Sequence, residues 1–368
     1  HGYFKDFQRR QGGKVPFKAL LIAVSKSTHK EELKMKDPKE ILAQMTLEEK
    51  AAICDGADFW HLKGMEKYGF PSIMVCDGPH GLRKKDYSKT GDSLSNSVPA
   101  ISYPTAATTA ASWDSELLFE MGVALGKKCL KEEVGVLLGP GINMKRSPLC
   151  GRNFEYFSED PILAGELAAG FINGVQSMGV GTSLKHFCAN SQETRRMTCD
   201  SVVDERALRE IYLTAFEIAV KKAKPWTVMP SYNLVNGVRM SANKKLNDIL
   251  RKELGFEGVI VSDWEAVQDP LDSLHAGLDL EFPHNAKHAQ LMQQHFADGK
   301  VDLSCLDASA GRMIALSENN GEAKKKRDIQ YSIEERIAIS QKVEESGIVL
   351  LKNNGVLPLQ KGKVCVTG

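Results

Sequence analysis

The sequence predicts an α/β fold, a (β/α)8 TIM-like barrel whose first strands are irregular. From residue 37 onward, short apolar runs alternate with longer stretches of helical periodicity, which is the pattern of βα units around a parallel sheet. Several apolar runs end directly in a polar side chain, as strands do at the carboxyl-terminal rim of barrel enzymes. A doubly wound open sheet is the alternative that fits the same alternation.

Each strand is predicted from a short apolar run, and each helix from apolar residues that recur every three to four positions. Three helix starts carry capping signals: Thr46 in Thr-Leu-Glu-Glu, Asp114, and Asp160 followed by proline. The predicted strands are 72–76, 134–138, 180–184, 226–229, 259–261 and 277–280. The predicted helices are 38–54, 114–133, 161–178, 203–223 and 244–254.

The composition is that of a globular protein and predicts a ligand that is neutral or small. The 368 residues are 42% hydrophobic and carry 48 basic and 47 acidic side chains, a formal charge of +1. This balance argues against nucleic acid or an acidic membrane surface as a partner. The eight cysteines lack CxxC or zinc-site spacing, so we expect reduced thiols, no metal and a cytoplasmic location, with secretion as the alternative.

Residues 1–36 are expected to form an N-terminal extension of unclear role. Basic residues precede the apolar run 19–24, but this run is shorter than the roughly 7 to 15 residues of a signal peptide's hydrophobic region. Because Met35 directly precedes the first helical pattern, we expect residues 1–34 to be upstream sequence without function. The other predicted units are the barrel at 37–318, a linker and helix at 319–346, and the start of an α/β sandwich domain at 347–368.

The run Gly-Val-Ile-Val-Ser-Asp-Trp places Asp263 and Trp264 at the end of a predicted strand. A carboxylate there either takes part in chemistry or caps the next helix, and the local pattern leaves both readings open. In a parallel barrel, all such strand ends converge on one rim, so we expect the polar strand ends to lie together. The others are Asp77, Asn143, Lys185-His186, Ser231-Tyr232-Asn233 and Glu281.

Five motifs occur in register along the chain. They are Met-Val-Cys-Asp-Gly-Pro-His-Gly-Leu-Arg at 74–83, the segment 138–155 ending in Gly-Arg-Asn-Phe-Glu, Lys-His-Phe at 185–187, Met-Pro-Ser-Tyr-Asn at 229–233 and Val-Ser-Asp-Trp at 261–264. Together they resemble the catalytic barrel of family 3 glycoside hydrolases, the β-glucosidase and β-xylosidase group. The resemblance covers nearly all of residues 37–368.

The resemblance implies a retaining exo-β-glycosidase that hydrolyses β-glucosides through a covalent glycosyl intermediate on Asp263, without a cofactor. A carboxylate accepts hydrogen bonds from sugar hydroxyls, whereas Arg and Lys donate them, and cations near Asp263 would keep it ionised. A structural salt bridge of the Lys-His pair under the barrel is the alternative. The implied sugar-binding residues are Asp77, Arg152, Lys185, His186 and Tyr232, with Trp264 as an apolar wall.

Retaining glycosidases use a second carboxyl group as acid and base. The Lys-His motif is not followed by the Pro-Gly-His-Gly loop of the N-acetylhexosaminidase branch, so the chain resembles the glucosidase branch, whose acid is a Glu in a second domain. Residues 347–359 resemble the entry into that domain, and 363–368 its first strand. We therefore expect the acid/base to be missing from this chain, and only glycosides of acidic phenols to react.

Other functions fit part of the pattern. The chain could be a catalytically impaired sugar-binding barrel fragment or a β-xylosidase, whereas a barrel enzyme for phosphorylated substrates is disfavoured by the lack of a late glycine-rich phosphate loop. The expected partner is a small neutral β-linked glucoside or short oligosaccharide, with no nucleic acid and no membrane. A homo-oligomer formed through regions beyond this chain is left open.

Overall fold

The structure is a computed structural model that describes residues 38–90, 96–324, 332–365 and 367. The predicted N-terminal extension, including the apolar run within it, lies outside the described residues.

Nine strands are present over the described residues: β1 (His61–Leu62), β2 (Ile73–Asp77), β3 (Val134–Leu138), β4 (Gly181–Phe187), β5 (Asp200–Ser201), β6 (Thr227–Pro230), β7 (Leu234–Val235), β8 (Val238–Arg239) and β9 (Val259–Ile260). A six-stranded sheet in the order β1-β2-β3-β4-β6-β9 forms the centre of the fold. Strands β2 to β9 of this sheet pair in parallel, whereas the two-residue β1 runs antiparallel to β2, which confirms the predicted irregular start. A small second sheet, β5-β7-β8, was not predicted.

Isolated bridges join the two edges of the large sheet. The segment 280–281 pairs in parallel with Val261 on one side and with Asp55 on the other, and Gly56 then pairs antiparallel with Leu62 of β1. These links close the sheet into a barrel, so the open-sheet alternative is wrong. The predicted strand 277–280 is present only as these bridges.

The helices surround the barrel and begin at capping residues. Thr46 forms the predicted capping box and thereby splits the predicted helix 38–54 in two, while Asp114 and Asp160 cap helices as predicted. No described helix has the length and apolar character needed to cross a bilayer. The helices are Pro38–Gln44, Leu47–Ile53, Ala106–Ala110, Ser115–Lys131, Pro161–Ser177, Glu205–Ala207, Thr214–Ala223, Lys244–Asp248, Pro270–His275, Ala286–Ala297, Leu303–Lys324 and Ile333–Gly347, with π-helical turns at Leu208–Tyr212 and Ile249–Glu253 and 3-10 turns at Glu66–Tyr68, Asn153–Glu155 and Met240–Ala242.

The helix Leu303–Lys324 extends into the segment predicted as an exposed linker, so that prediction is wrong for residues 319–324. The helix continues through this segment because Asn320 is buried and donates from Nδ2 to the carbonyl of Gly135, 3.0 Å away. A Cβ on Gly135 would lie 2.3 Å from that amide nitrogen, so glycine is required for this close approach. The rest of the predicted linker, 325–327, lies outside the described residues.

A buried carboxylate holds the last barrel segment to two outer helical segments. The Asp279 side chain is fully buried and forms ion pairs with Arg251 and with Arg312, whose Nη1 lies 2.8 Å from Oδ1. Its oxygens also accept from the Ser309 hydroxyl and from the backbone N–H of Ile260 in β9. One buried anion therefore binds two partly buried cations and the backbone of one strand.

The C-terminal segment after residue 347 has neither helix nor strand over its described residues, and its aliphatic side chains are exposed. A strand requires a hydrogen-bonded neighbour. The predicted first strand of a sandwich domain at 363–368 is therefore not formed over 363–365 or at residue 367, and a second domain stays a proposal.

Candidate active site

A cavity of about 270 Å³ lies at the carboxyl-terminal rim of the barrel strands. All seven residues predicted for the site line it, although they come from five separate segments of the chain. The structure thus brings together the full predicted set. The lining residues are Phe59, Trp60, Asp77, Arg83, Leu138, Arg152, Lys185, His186, Arg196, Met229, Tyr232, Asp263 and Trp264.

Asp263 follows β9 and is buried, with 8% of its surface exposed. Its Oδ1 accepts from the backbone N–H of Trp264 at 2.8 Å, whereas Oδ2 has no hydrogen-bond partner in the described part of the chain. Burial raises the pKa of Asp263 above its usual value, against the lowering effect of Arg152 and Lys185. The helix-cap reading is wrong, because the next helix is capped by Asp269.

Asp77, at the end of β2, lies between two cations. Its Oδ1 is 3.0 Å from Nζ of the buried Lys185, and its Oδ2 is 2.6 Å from Nη2 of Arg83. Burial acts to raise the pKa of Asp77, but Lys185 and Arg83 outweigh it and hold the pKa below its usual range. Lys185 does form a salt bridge, but inside the cavity, so the alternative of a structural pair under the barrel is wrong.

Glu155 is a buried carboxylate that the sequence reading did not assign to the site. It ends the short turn Asn153–Glu155, accepts from Nε of Arg152, and lies 3.9 Å from Nζ of Lys185. The charge of Glu155 therefore partly balances Arg152 and Lys185, the two cations that act to lower the pKa of Asp263. Its only sequence signal was its place in the Gly-Arg-Asn-Phe-Glu motif.

Hydrogen bonds fix both the backbone and the imidazole ring of His186, on β4. Asn143 clamps its backbone, donating to the carbonyl at 2.8 Å and accepting from the N–H at 2.9 Å. The imidazole contacts Nη2 of Arg152 through Nε2 and the Tyr156 hydroxyl through Nδ1, each at 3.0 Å. Burial, with Arg152 and Lys185 adding to it, lowers the pKa of His186 well below its usual value, so the ring is neutral.

Aromatic side chains form one wall of the cavity. Trp264 stacks on Phe282 with ring centroids 5.1 Å apart, and its Nε1 donates to the carbonyl of Phe59 at 2.9 Å. Tyr232 donates to the carbonyl of Trp264 at 2.9 Å, and the Arg196 guanidinium lies 4.5 Å from the Tyr232 ring centroid. Such a wall suits the apolar face of a pyranose ring.

Not every polar strand end reaches this cavity, so the expectation of one common rim is partly wrong. Ser231 instead donates to the carbonyl of Cys188, and Asn233 also turns its amide toward backbone carbonyls. Glu281 pairs with His288 at a different cavity of about 240 Å³. Asn143 does not line the cavity and contributes to the site through its two hydrogen bonds to the backbone of His186.

Four polar or aromatic residues that line the cavity were not predicted from the sequence. They are Phe59, Trp60, Arg83 and Arg196. Phe59 and Trp60 lie before β1, and Arg83 and Arg196 lie in loops after β2 and β4. Loops carry no periodic signal. A motif-wide reading of 74–83 would have included Arg83.

Residues 94–316 match the model of the glycosyl hydrolase family 3 N-terminal domain. The chain is 50% identical over 341 residues to thermostable β-glucosidase B of Acetivibrio thermocellus, and that alignment covers 90% of this chain and 44% of the relative. It is 48% identical to an exo-α-(1->6)-L-arabinopyranosidase of Bifidobacterium longum, covering 87% of this chain and 42% of the relative.

Among solved structures, β-glucosidase 3B of Thermotoga neapolitana in complex with α-D-glucose superposes with a TM-score of 0.82 at 38% identity. This superposition covers 88% of the present chain and 48% of the other. The chain thus spans about half the length of the relatives it matches. It belongs to glycosyl hydrolase family 3 and contains the family's N-terminal domain.

Proposed function

We propose that this chain supplies the sugar site and the nucleophile of a retaining exo-β-glycosidase that acts on β-glucosides. The observation that carries the proposal is Asp263 Oδ2, a buried carboxylate oxygen without a hydrogen-bond partner in the described residues, beside Arg152 and Lys185. A nucleophilic carboxylate must be ionised and have one oxygen free to attack. Arg152 and Lys185 favour the ionised form of Asp263 against the effect of burial, and Oδ2 is the oxygen that could attack.

The rest of the cavity suits one neutral sugar ring. Its volume of about 270 Å³ lies just below the roughly 300 to 1,000 Å³ of pockets for drug-sized ligands. Asp77 offers acceptor oxygens, Lys185 and Arg152 offer donors, and Trp264 offers an apolar face, which together match the alternating surfaces of a pyranose. The glucose-bound Thermotoga neapolitana enzyme supports glucose as the sugar.

In the proposed reaction, Asp263 Oδ2 attacks the anomeric carbon while the bond from that carbon to the leaving-group oxygen breaks. The leaving group departs with the electron pair, and water later cleaves the glycosyl ester with net retention. Asp77 is locked between two cations and Glu155 is bound to Arg152, so neither is a free acid for protonating the leaving group. An acidic phenol needs little protonation and should leave unaided.

We therefore expect a burst with dinitrophenyl β-D-glucoside that approaches one dinitrophenolate per chain, followed by slow turnover. Cellobiose, whose leaving group is a poor one, should be cleaved slowly or not at all. Stopped-flow absorbance measures the burst, and chromatography measures cellobiose cleavage. Binding of glucose without any burst would favour a sugar-binding module, and rapid cleavage of cellobiose would show that a complete acid/base lies within the chain.

Sugar preference is tested in the same assay. The arabinopyranosidase relative favours a pentopyranoside as the second candidate substrate, and the β-xyloside is a third. We expect the glucoside to give the largest burst rate per unit concentration. A faster burst with the α-L-arabinopyranoside or the β-D-xyloside would reassign the sugar while leaving the role of Asp263 intact.

The burst rate should also depend on pH through Asp263. Because burial raises the pKa of this carboxyl group, the ionised form is lost at a pH above the ordinary value of 3.8. The burst rate should therefore be constant near neutrality and fall as the pH is lowered through that raised pKa. A rate that stayed constant down to the ordinary carboxyl pKa would contradict a desolvated nucleophile.

A further inference from the structure

The contacts of the His186 imidazole determine which ring nitrogen carries its hydrogen. Nε2 lies 3.0 Å from Nη2 of Arg152, and a guanidinium nitrogen can only donate, so Nε2 must be the acceptor. The ring is neutral because it is buried beside two cations. Its single hydrogen must then be on Nδ1, which faces the Tyr156 hydroxyl at 3.0 Å.

The hydroxyl oxygen of Tyr156 is placed to accept a hydrogen bond from Nδ1. Its side chain is fully buried, and its oxygen also accepts an N–H from Asn190 at 3.0 Å. The orientation of the Asn190 amide is fixed, since the same nitrogen donates to Oε1 of Glu193 at 3.1 Å and a carboxylate only accepts. Arg196 in turn pairs with Glu193. A phenolic oxygen has two lone pairs, so the Tyr156 oxygen can accept from both Asn190 and His186.

The tautomer matters because of the carboxylate next to it. Nε2 of His186 lies 3.8 Å from Oδ2 of Asp263, the oxygen with no hydrogen-bond partner in the described chain. An N–H at Nε2 would be a donor within a small movement of that oxygen, and a hydrogen bond there would occupy the lone pair needed for attack. If Nε2 instead carries a lone pair, that lone pair accepts a hydrogen bond from Arg152, and Oδ2 receives no hydrogen bond from the imidazole.

We propose that Tyr156 is a positioning residue that holds His186 in the Nδ1–H tautomer and so reserves Oδ2 of Asp263 as the attacking oxygen. The proposal rests on the proposed glycosidase function for the meaning of that oxygen, whereas the tautomer is a property of the chain alone. It also means that a bound sugar hydroxyl cannot accept a hydrogen bond from Nε2 of His186, which carries no hydrogen.

Long-range 1H–15N correlation spectra of the chain labelled with 15N-histidine report the tautomer of each of its nine histidines. The signals of His186 are identified by their loss in His186→Gln. We expect a hydrogen on Nδ1 and none on Nε2 at neutral pH. A hydrogen on Nε2 in the unaltered chain would overturn the proposal without any variant.

Tyr156→Phe removes the acceptor and should raise the ratio of Nε2–H to Nδ1–H by about tenfold, the effect of losing one hydrogen bond. Tyr103→Phe is the matched control, because Tyr103 is also buried and its hydroxyl has no partner among the described residues. That control should leave the His186 signals unchanged. An unchanged tautomer in Tyr156→Phe would contradict the positioning role.

Covalent trapping by a 2-deoxy-2-fluoroglucoside of dinitrophenol separates this proposal from the proposed function. Adduct formation should be slower in Tyr156→Phe, in proportion to the fraction of the Nδ1–H tautomer that this variant loses in the spectra, and unchanged in Tyr103→Phe. If the unaltered chain shows Nδ1–H but never forms an adduct, the glycosidase function fails and the tautomer stands. If the adduct forms equally fast in Tyr156→Phe although the Nδ1–H fraction has fallen, the tautomer does not control Oδ2, so the positioning role is wrong and the function stands.

Discussion

Asp263→Asn should abolish the dinitrophenolate burst and reduce the rate of covalent trapping by about 10⁴-fold or more, the scale expected for loss of a nucleophile. The amide keeps the size of the side chain and can still accept the Trp264 N–H. It carries no negative charge and cannot form a glycosyl ester. Glucose binding, measured by calorimetry, should survive within about tenfold, because Asp77, Lys185 and Arg152 remain in place.

Asp269→Asn is the matched control for this change. It makes the same replacement six positions later, at the N-cap of the helix Pro270–His275, where Asn caps as well as Asp. This variant should react like the unaltered chain. A burst of normal size in Asp263→Asn would show that another group attacks the sugar.

Asp279→Asn should lower the free energy of unfolding by about 3 to 5 kcal/mol, since removing one partner of a buried ion pair leaves uncompensated charge. In this case two cations, Arg251 and Arg312, whose side chains are 12% and 29% exposed, lose their shared and fully buried anion. Burial already lowers the pKa of Arg251 to about 10, against the raising effect of Asp279, so this cation depends on its partner. Urea denaturation, followed by tryptophan fluorescence, measures the loss.

Asp248→Asn provides the surface comparison. Asp248 also pairs with two cations, Lys244 at 3.0 Å and Lys252 at 3.2 Å, but these lysines are mostly exposed. Exposed ion pairs contribute about 0 to 1 kcal/mol, so this variant should unfold close to the unaltered chain. Equal losses in both variants would show that burial does not set the importance of the Asp279 cluster.

The barrel could be predicted from the sequence because its strands are short apolar runs between helical patterns. The strand at Val134–Leu138 was placed to the residue, and the others of the parallel sheet to within about three residues. The strand β1 could not be predicted, because two residues of one extended segment carry no periodicity. Closure of the barrel depends on single bridges such as Val261 with Leu280, which have no pattern of their own.

The seven predicted site residues were found because each follows a strand or lies within a motif, and the cavity contains all of them. Glu155 and Tyr156 could not be assigned to the site from the sequence, because their roles depend on their contacts in the folded chain. A buried carboxylate between Arg152 and Lys185, or a hydroxyl facing one nitrogen of His186, is visible only in three dimensions. The polar segment around Asn320 was predicted to be an exposed linker, because the sequence does not distinguish a buried amide from an exposed one.

The attachment site of a trapped sugar tests the central claim most directly. The unaltered chain is incubated with the dinitrophenyl 2-deoxy-2-fluoroglucoside, digested with a protease, and its peptides are mapped by tandem mass spectrometry. We predict one fluoroglucosyl group per chain, on the carboxylate of Asp263. An adduct on another residue such as Asp77 or Glu155, or no adduct at all while glucose still binds, would contradict the assignment of Asp263 as the nucleophile.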